Sequence, residues 1–236
     1  MTKTLLASSL FCLSIFALST ARAVVVTNTT TGSVVFDSAG FENDTVGTAP
    51  SATGTGSWSA YHIDAVTNSP TPGPAFGTKY VTTTRDVISA GGPGANLSAN
   101  QTTNGDQLHV EWHAWYPANA DDNILIDSGT RMLGRITGGQ YLNYNGSAYV
   151  STGVSYSAQQ WQKWELDYTI GSSTYNLSVN DSSPVTIAAL APGGFARMDF
   201  GHNGLDTFFL DGAPIPEPAS LALVLVAGQL LVRRRR

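Results

Sequence analysis

Closely spaced metal-ligating side chains occur in the segment His109–His113. Residues two apart in a β-strand share a face and lie about 7 Å apart, so His109, Glu111 and His113 are predicted to point together. Two imidazoles and a carboxylate form a plausible ligand set for Zn²⁺. The sequence suggests no fourth ligand, and a polar outer strand face explains the same pattern without a metal.

A second candidate metal site uses oxygen ligands only. Asp121 and Asp122 precede an asparagine and Asp181 follows one, in segments predicted to be loops. Ca²⁺ prefers hard oxygen donors of this kind, so a single bound Ca²⁺ is one interpretation. Asx turns that cap strand ends account for the same residues equally well. Apart from these two metals, no cofactor is predicted.

Four aromatic residues could stack on the flat faces of sugar rings if they are exposed. Trp115 and Trp161 fall on the polar side of predicted strands, and Tyr116 and Tyr149 lie near strand ends. The alternative is that edges and bends of the strands return these rings to the core. The sequence leaves both interpretations open.

These candidates lie in a region predicted to consist of short strands. From Val24 to Ala213 no window keeps a helical apolar period, whereas alternation with period two recurs, most clearly in Trp161–Ile170. Gly171-Ser172-Ser173 predicts a hairpin turn, and Asn145-Gly146 predicts a type I′ turn. Further strands are predicted at Val34–Phe36, Trp58–Val66, Tyr80–Thr84, Leu108–Ala114, Asn123–Asp127, Arg131–Ile136, Tyr141–Tyr144, Tyr175–Val179, Val185–Ala188, Ala196–Phe200 and Thr207–Leu210. So many short strands indicate an antiparallel two-sheet sandwich, most economically a jelly roll.

The charge distribution excludes several classes of partner. The chain has 236 residues, with 12 Lys and Arg against 17 Asp and Glu. Six of the basic residues lie in the terminal segments but only Glu217 of the acidic ones, so residues 24–213 carry a formal net charge of −10. This balance argues against binding to nucleic acid or to anionic lipid. The only cysteine, Cys12, lies before this region, which therefore has no disulfide.

Residues 1–23 have the features of a secretory signal peptide. Lys3 supplies the positive n-region, Leu5–Leu18 forms the apolar h-region, and Ala21 and Ala23 form a cleavage site of small residues. The alternative is a retained transmembrane helix, which the shortness of the apolar run disfavours.

Residues 214–236 contain three elements in order. Pro216, Glu217 and Pro218 precede a Leu/Val/Ala-rich run, and Arg233, Arg234, Arg235 and Arg236 follow it. The run would form a helix of ~21 Å against a hydrocarbon core of roughly 30 Å, which predicts a transient membrane insertion with cytoplasmic arginines. A buried helix or an ordinary tail anchor would not explain the two prolines.

This order of elements resembles the PEP-CTERM sorting signal of Gram-negative bacteria. The resemblance implies that a membrane processing enzyme of the exosortase type recognises the tail and removes it. It also implies a destination at the cell surface or in the exopolysaccharide matrix, and it implies nothing about the fold of residues 24–213.

A second set of motifs spans most of the central region. It comprises Phe41-Glu42 with Gly47, Pro50 and Trp58, then Gly77-Thr78-Lys79-Tyr80, the paired segments Trp161–Tyr168 and Tyr175–Asp181, and Phe208–Asp211. Together these motifs resemble the laminin-G-like, concanavalin A-like domains of exported bacterial proteins. The resemblance implies a two-sheet jelly roll of the lectin and glucanase type.

Laminarinase-type glycoside hydrolases share that fold and resemble one another in a Glu-x-Asp-x-x-Glu motif. Glu165 and Asp167 match its first two acidic positions, but Ile170 stands where the general acid is needed. Retaining hydrolysis requires two carboxyl groups about 5–5.5 Å apart, so this departure predicts a protein that is not an enzyme. The alternative is a divergent hydrolase that uses Glu165 with another acid.

The sequence therefore predicts an all-β, antiparallel jelly-roll sandwich of the concanavalin A type. A signal-peptide helix is expected before it and a short hydrophobic helix after it. The predicted function is that of an exported surface or matrix protein that binds or organises polysaccharide without catalysis. A purely structural surface protein is the third alternative.

Overall fold

A computed structural model describes residues 24–51, 53–59, 65–83, 94–127, 130–200 and 207–211. The expected cleavage residues Ala21 and Ala23, and the sorting residues 216–218 and 233–236, lie outside these ranges. Over the ranges described, no helix has the length and apolar character needed to cross a membrane.

The described chain folds into sixteen strands. They are β1 (Val24–Asn28), β2 (Ser33–Asp37), β3 (Ser57–Ser59), β4 (Ala65–Thr67), β5 (Tyr80–Thr83), β6 (Gly94–Gln101), β7 (Gln107–Trp115), β8 (Asp121–Ile126), β9 (Met132–Thr137), β10 (Gln140–Tyr144), β11 (Tyr149–Ser155), β12 (Trp161–Thr169), β13 (Thr174–Val179), β14 (Val185–Ala188), β15 (Phe195–Phe200) and β16 (Phe208–Asp211).

The strands form two antiparallel sheets. The larger sheet has the order β14-β13-β12-β7-β16-β5-β4, and β1 also pairs with β7 while β2 pairs with β1. The smaller has the order β11-β10-β9-β8-β15-β6-β3. This arrangement confirms the prediction of an all-β, jelly-roll-like sandwich, which alternating apolar residues favour because each sheet buries one face.

Strand β7 is the centre of the larger sheet. One of its edges pairs along its whole length with β12, from Trp115 opposite Trp161 to Gln107 opposite Thr169. Its other edge is divided, because β1 pairs with its first part and β16 with its last. The first described strand, β1, and the last, β16, therefore both pair with the same edge of β7.

Aromatic rings fill the space between the sheets. Trp112 on β7 and Trp164 on β12 are stacked with their centroids 5.8 Å apart. Trp164 also contacts Tyr141 of the smaller sheet at 6.4 Å. The hydroxyls of Tyr141 and Tyr175 lie 2.9 Å apart and the Tyr175 hydroxyl donates to Asn143 Oδ1 at 3.1 Å, so hydrogen bonds join the two sheets inside the core. Buried polar atoms require such partners.

Gly134 shows how closely this core is packed. A Cβ atom at Gly134 would lie 2.0 Å from the hydroxyl oxygen of Tyr141. Only glycine therefore lets β9 pass beside that ring without displacing it.

Two local predictions are wrong. The segment Trp58–Val66 is not one strand, since β3 pairs with β6 in the smaller sheet and β4 pairs with β5 in the larger. The turn at Asn145 is not a two-residue type I′ turn, because Tyr144 pairs with Tyr149 and leaves a four-residue loop. The Asn145 side chain stabilises that loop by accepting hydrogen bonds from the backbone of Ser147 and Ala148, both at 3.0 Å.

Residues 68–79, which connect β4 to β5, form a strap across the outward side of the larger sheet. The indole N–H of Trp161 donates to the carbonyl of Gly73 at 2.9 Å. The backbone N–H of Phe76 donates to the Asp211 carboxylate at 3.0 Å. These contacts fix the strap over one end of β7, β12 and β16.

The base of the strap is held by Glu42. Its carboxylate accepts hydrogen bonds from the backbone N–H groups of Thr78 and Lys79 at 2.8 and 2.9 Å. The Lys79 ammonium in turn donates to the carbonyls of Glu42 and Asp44. Two of the laminin-G-like motifs, the one around Glu42 and the one around Tyr80, are therefore in direct contact.

Candidate functional site

The outward side chains of β7 and β12 form a continuous polar and aromatic surface, which we call the β7–β12 face. Because Trp164, Leu166 and Tyr168 point into the core, the alternate residues point outward. The register gives four cross-strand pairs, namely Trp115 with Trp161, His113 with Lys163, Glu111 with Glu165, and His109 with Asp167. At about 3.3 Å per residue, these four rows extend over roughly 20 Å.

Two carboxylates and an imidazole meet near the middle of this face. One nitrogen of His109 and one carboxylate oxygen each of Glu111 and Glu165 lie within 4.8 Å of one another. Burial raises the pKa of Glu111, and the charge of Glu165 adds to the rise while Lys163 opposes it. His109 Nδ1 lies 2.8 Å from a carboxylate oxygen of Asp167, which orients the ring.

Lys163 is the basic residue of this cluster. Its ammonium lies 3.2 Å from Glu165 Oε1 and also pairs with Asp181, on the turn after β13. The hydrogen bond to Asp181 is the main reason that the pKa of Lys163 is raised. Lys163 thus pairs with two carboxylates, and Glu111 and Asp167 add two more to the same face, so the face is acidic.

His113 points outward but is covered by the strap. Its side chain is 8% exposed, and its ring packs edge-on against Phe76 with centroids 5.1 Å apart. Its Nδ1 atom is buried without a hydrogen-bond partner in the part of the chain that the structure describes. Burial, with a smaller contribution from Lys163, lowers the pKa of His113 to about 4.

The four predicted sugar-stacking residues do not lie on one surface. Trp115 and Trp161 lie on the outward face as neighbours, but each is partly buried, Trp115 against Phe209 and Trp161 against Tyr80 under the strap. The prediction for Tyr116 is wrong, since its ring is 2% exposed and packs in the core against Phe208.

Tyr149 belongs to the other sheet. Its ring is half-buried, packs against Tyr144, and lies 5.4 Å from the Arg135 guanidinium carbon. It is therefore separate from the tryptophan pair, and no single surface contains all four rings.

The predicted calcium ligands are not brought together. Asp121 and Asp122 lie in β8 rather than in a loop, so their side chains point to opposite faces of the smaller sheet. Asp121 forms a two-point hydrogen-bonded ion pair with Arg135 at 2.6 and 2.7 Å, and Asp122 is 1% exposed. Asp181 lies beside Lys163 of the larger sheet. The expectation that these three aspartates bind one Ca²⁺ together is therefore wrong.

The structure replaces one residue of the predicted zinc ligand set. His109, Glu111 and His113 do share a face, as expected from period two, but His113 lies opposite Lys163 beneath Phe76. Glu165, from the neighbouring strand, takes its place beside His109 and Glu111. Over the described ranges, this is the one group of three acidic or histidine side chains that could hold a metal ion.

The register also gives Glu165 a carboxylate neighbour. Ile170, at the third position of the motif, is buried in the core. Glu111 lies directly opposite Glu165, although the two are 54 residues apart in the sequence. No local pattern shows such a pair, because strand pairing decides it.

Two clefts lie beside the larger sheet. One of about 310 Å³ is lined by Asp167, Asn176 and the start of the β13 strand, near the His109 end of the face. The other, of about 490 Å³, lies between β11 and the turn after β13. Neither is lined by Glu111 or Glu165.

No protein-family model matches the chain, and no curated protein matches it. Among solved structures, a sialidase is similar over 66% of this chain with 12% sequence identity and a TM-score of 0.39. The matched part is 16% of the sialidase's own length. So distant a likeness carries nothing to the site, and the fold defines the chain as a two-sheet antiparallel β-sandwich protein.

Proposed function

We propose that the protein is an exported, non-catalytic β-sandwich that binds a neutral polysaccharide on its β7–β12 face. The observation that carries this proposal is the tryptophan pair, Trp115 and Trp161, placed side by side at one end of a row of hydrogen-bonding side chains. Aromatic rings offer apolar faces to sugar rings, and Glu165 and Asp167 accept hydrogen bonds from sugar hydroxyls.

The strap is part of this binding surface. It presents the carbonyls of Gly73 and Thr71, which the Trp161 indole and the Tyr80 hydroxyl engage at 2.9 and 3.1 Å. These contacts hold the Trp161 ring in one orientation. A ring that is already fixed loses little conformational entropy when a ligand stacks on it.

The charge of the face selects among polysaccharides. Among the described residues of the face, four carboxylates (Glu111, Glu165, Asp167 and Asp181) stand against one lysine, Lys163, and residues 24–213 carry a net charge of −10. A polymer of uronate or sulfated sugars would therefore be repelled. A neutral polymer contacts the same side chains without that penalty.

The test measures retardation of the purified full chain in native gels that contain a soluble neutral β-glucan, alginate or no polysaccharide. We expect retardation by the β-glucan only, weakened at least fivefold by Trp115→Ala and by Asp167→Asn. Tyr149→Ala, on the other sheet, is the matched aromatic control and should bind normally. Loss of binding in Tyr149→Ala alone would place the site on the other sheet, and absence of retardation in every gel would contradict the proposal.

One observation favours a second function, that of a divergent retaining glycoside hydrolase. Glu111 and Glu165 bring carboxylate oxygens within 4.8 Å, close to the separation that a nucleophile and an acid require, and burial raises the pKa of Glu111. Reducing-sugar release from a β-glucan panel separates the two functions. Turnover abolished by both Glu111→Gln and Glu165→Gln would establish the hydrolase, whereas binding without turnover supports the first proposal.

We further propose that the terminal segments deliver the protein to the surface or matrix of a Gram-negative cell. Residues 1–23 would direct export, and residues 214–236 would enter the membrane transiently until an exosortase-type enzyme removes them. Replacing Arg233–Arg236 by serine should leave the tail uncleaved, as measured by mass spectrometry of the protein from cells. Normal processing of that variant would contradict this proposal.

A further inference from the structure

From the cluster of His109, Glu111 and Glu165 we infer a site for a divalent transition-metal ion, with Zn²⁺ as its representative. One ring nitrogen and two carboxylate oxygens are a ligand set that Zn²⁺ accepts, and they leave further positions for water. The inference does not depend on polysaccharide binding, because it concerns the cluster and a metal ion alone.

The backbone places the three ligands together. Glu111 and Glu165 are directly opposite in the register of β7 and β12, and His109 is two residues before Glu111 on the same face. The three ligand atoms lie within 4.8 Å of one another. Atoms bound to one Zn²⁺ at about 2.1 Å and at tetrahedral angles are about 3.4 Å apart, so rotation of the side chains completes the set.

A carboxylate outside the ligand set supports the imidazole. Asp167 lies opposite His109 and accepts the hydrogen of Nδ1 at 2.8 Å, so the neutral ring carries its lone pair on Nε2. Histidines that bind metals usually donate their other ring nitrogen in this manner, which orients the ring and raises its basicity. Asp167 is therefore a positioning residue and not a ligand.

The charges of the cluster favour a cation. Opposed like charges on neighbouring strands destabilise a sheet, and Glu111 and Glu165 are such a pair. Lys163 offsets part of this repulsion through Glu165 at 3.2 Å, but Asp181 also holds its ammonium. A divalent ion would neutralise both glutamates, and Lys163 would turn to Asp181 alone.

The cluster is accessible to an ion from solvent. The side chains of His109 and Glu165 are 33% and 20% exposed, respectively. His113, by contrast, is covered by Phe76, so an ion cannot reach it while the strap is in place. The two histidines of β7 therefore differ sharply in what they can bind.

The experiment is isothermal titration calorimetry of the full chain, stripped with EDTA and dialysed, with ZnCl₂ and separately with CaCl₂ at pH 7.5. We expect one Zn²⁺ per chain, and Ca²⁺ binding at least tenfold weaker because Ca²⁺ prefers oxygen ligands. Glu111→Gln and His109→Gln should each weaken Zn²⁺ binding at least tenfold. His113→Gln, the matched histidine control, should leave it unchanged.

Two further variants test the assigned roles. Asp167→Asn should weaken Zn²⁺ binding about 10- to 100-fold without changing the stoichiometry. Lys163→Gln should strengthen binding, because it frees Glu165 from a competing ammonium. Circular dichroism checks that each variant is folded, and the expected gain in Lys163→Gln cannot come from misfolding. Absence of saturable Zn²⁺ binding, equal losses in His113→Gln and His109→Gln, or Ca²⁺ binding as tight as Zn²⁺ would overturn the inference.

Discussion

Protonation of His113 should weaken the fold as the pH falls. In the folded chain, burial and Lys163 lower the pKa of His113 to about 4, whereas an exposed histidine has a pKa near 6.5. The unfolded chain therefore binds a proton at this residue between those two values, and the folded chain does not. Linkage then requires the contribution to be complete above pH 6.5 and to be lost as the pH falls toward 4.

The size of the effect follows from the difference between the two pKa values. One pKa unit corresponds to about 1.4 kcal/mol, so His113 should cost about 2 kcal/mol of unfolding free energy by pH 5 and about 3 kcal/mol by pH 4. Its side chain is only 8% exposed, so solvent screens little of this. The charged groups that face it are Lys163 on β12, Asp211 on β16 and Asp181 on the turn after β13.

The assay compares the wild-type full chain with His113→Gln by urea unfolding at pH 7.5, 6.0 and 5.0 in EDTA. Every other titrating group is common to both proteins, so the difference between their unfolding free energies isolates His113. We expect the unfolding free energy of the wild type, minus that of His113→Gln, to fall by about 2 kcal/mol between pH 7.5 and pH 5.0.

A constant difference between the two proteins across this pH range would refute the reasoning. It would mean that His113 in the folded protein accepts a proton as readily as an exposed histidine does. The strap would then be open for much of the time, and Phe76→Ala should likewise have no effect on the pH dependence.

Three other predictions concern stability. Gly134→Ala should lower the unfolding free energy by about 1–3 kcal/mol in urea unfolding, since the new methyl group overlaps the Tyr141 hydroxyl. Tyr175→Phe should cost about 1–3 kcal/mol in the same assay, because it leaves Tyr141 and Asn143 without their shared buried partner. Glu111→Gln should raise stability at pH 7 in EDTA by about 0.2–1 kcal/mol by removing a charge opposite Glu165, with the gain fading as the pH falls. An unchanged unfolding free energy would contradict the packing argument for Gly134→Ala, the hydrogen-bond argument for Tyr175→Phe and the charge-repulsion argument for Glu111→Gln.

The period-two pattern predicted much of the sandwich because alternation is a local property. In Trp161–Thr169, for example, Trp164 and Tyr168 are buried and Asp167 is exposed, as the pattern indicated. β6 was not predicted, since its sequence Gly94–Gln101 is polar and its pairing with β15 and β3 gives it its structure. Pairing with a strand on each side overrides the low strand propensity of this segment.

From the sequence, the candidate site could be predicted only for side chains that lie on the same strand. The outward direction of His109, Glu111 and His113 followed from spacing alone. Their separation into an accessible and a covered histidine did not, because the strap that covers His113 lies more than 30 residues away in sequence. The presence of Glu165 in the cluster could not be predicted either, because it depends on the register between two strands that are distant in sequence.

The divided edge of β7 also constrains the order in which the chain can fold. β1 occupies one part of that edge and β16 the other, and β16 ends at Asp211. A chain that emerges amino end first cannot close its larger sheet until residue 211 has emerged, so folding should follow emergence of nearly the whole domain rather than accompany it. Such long-range pairing slows folding and leaves strand edges open during the delay. Removing β16 should therefore expose the backbone of Trp115 and its neighbours and promote self-association through this edge of β7.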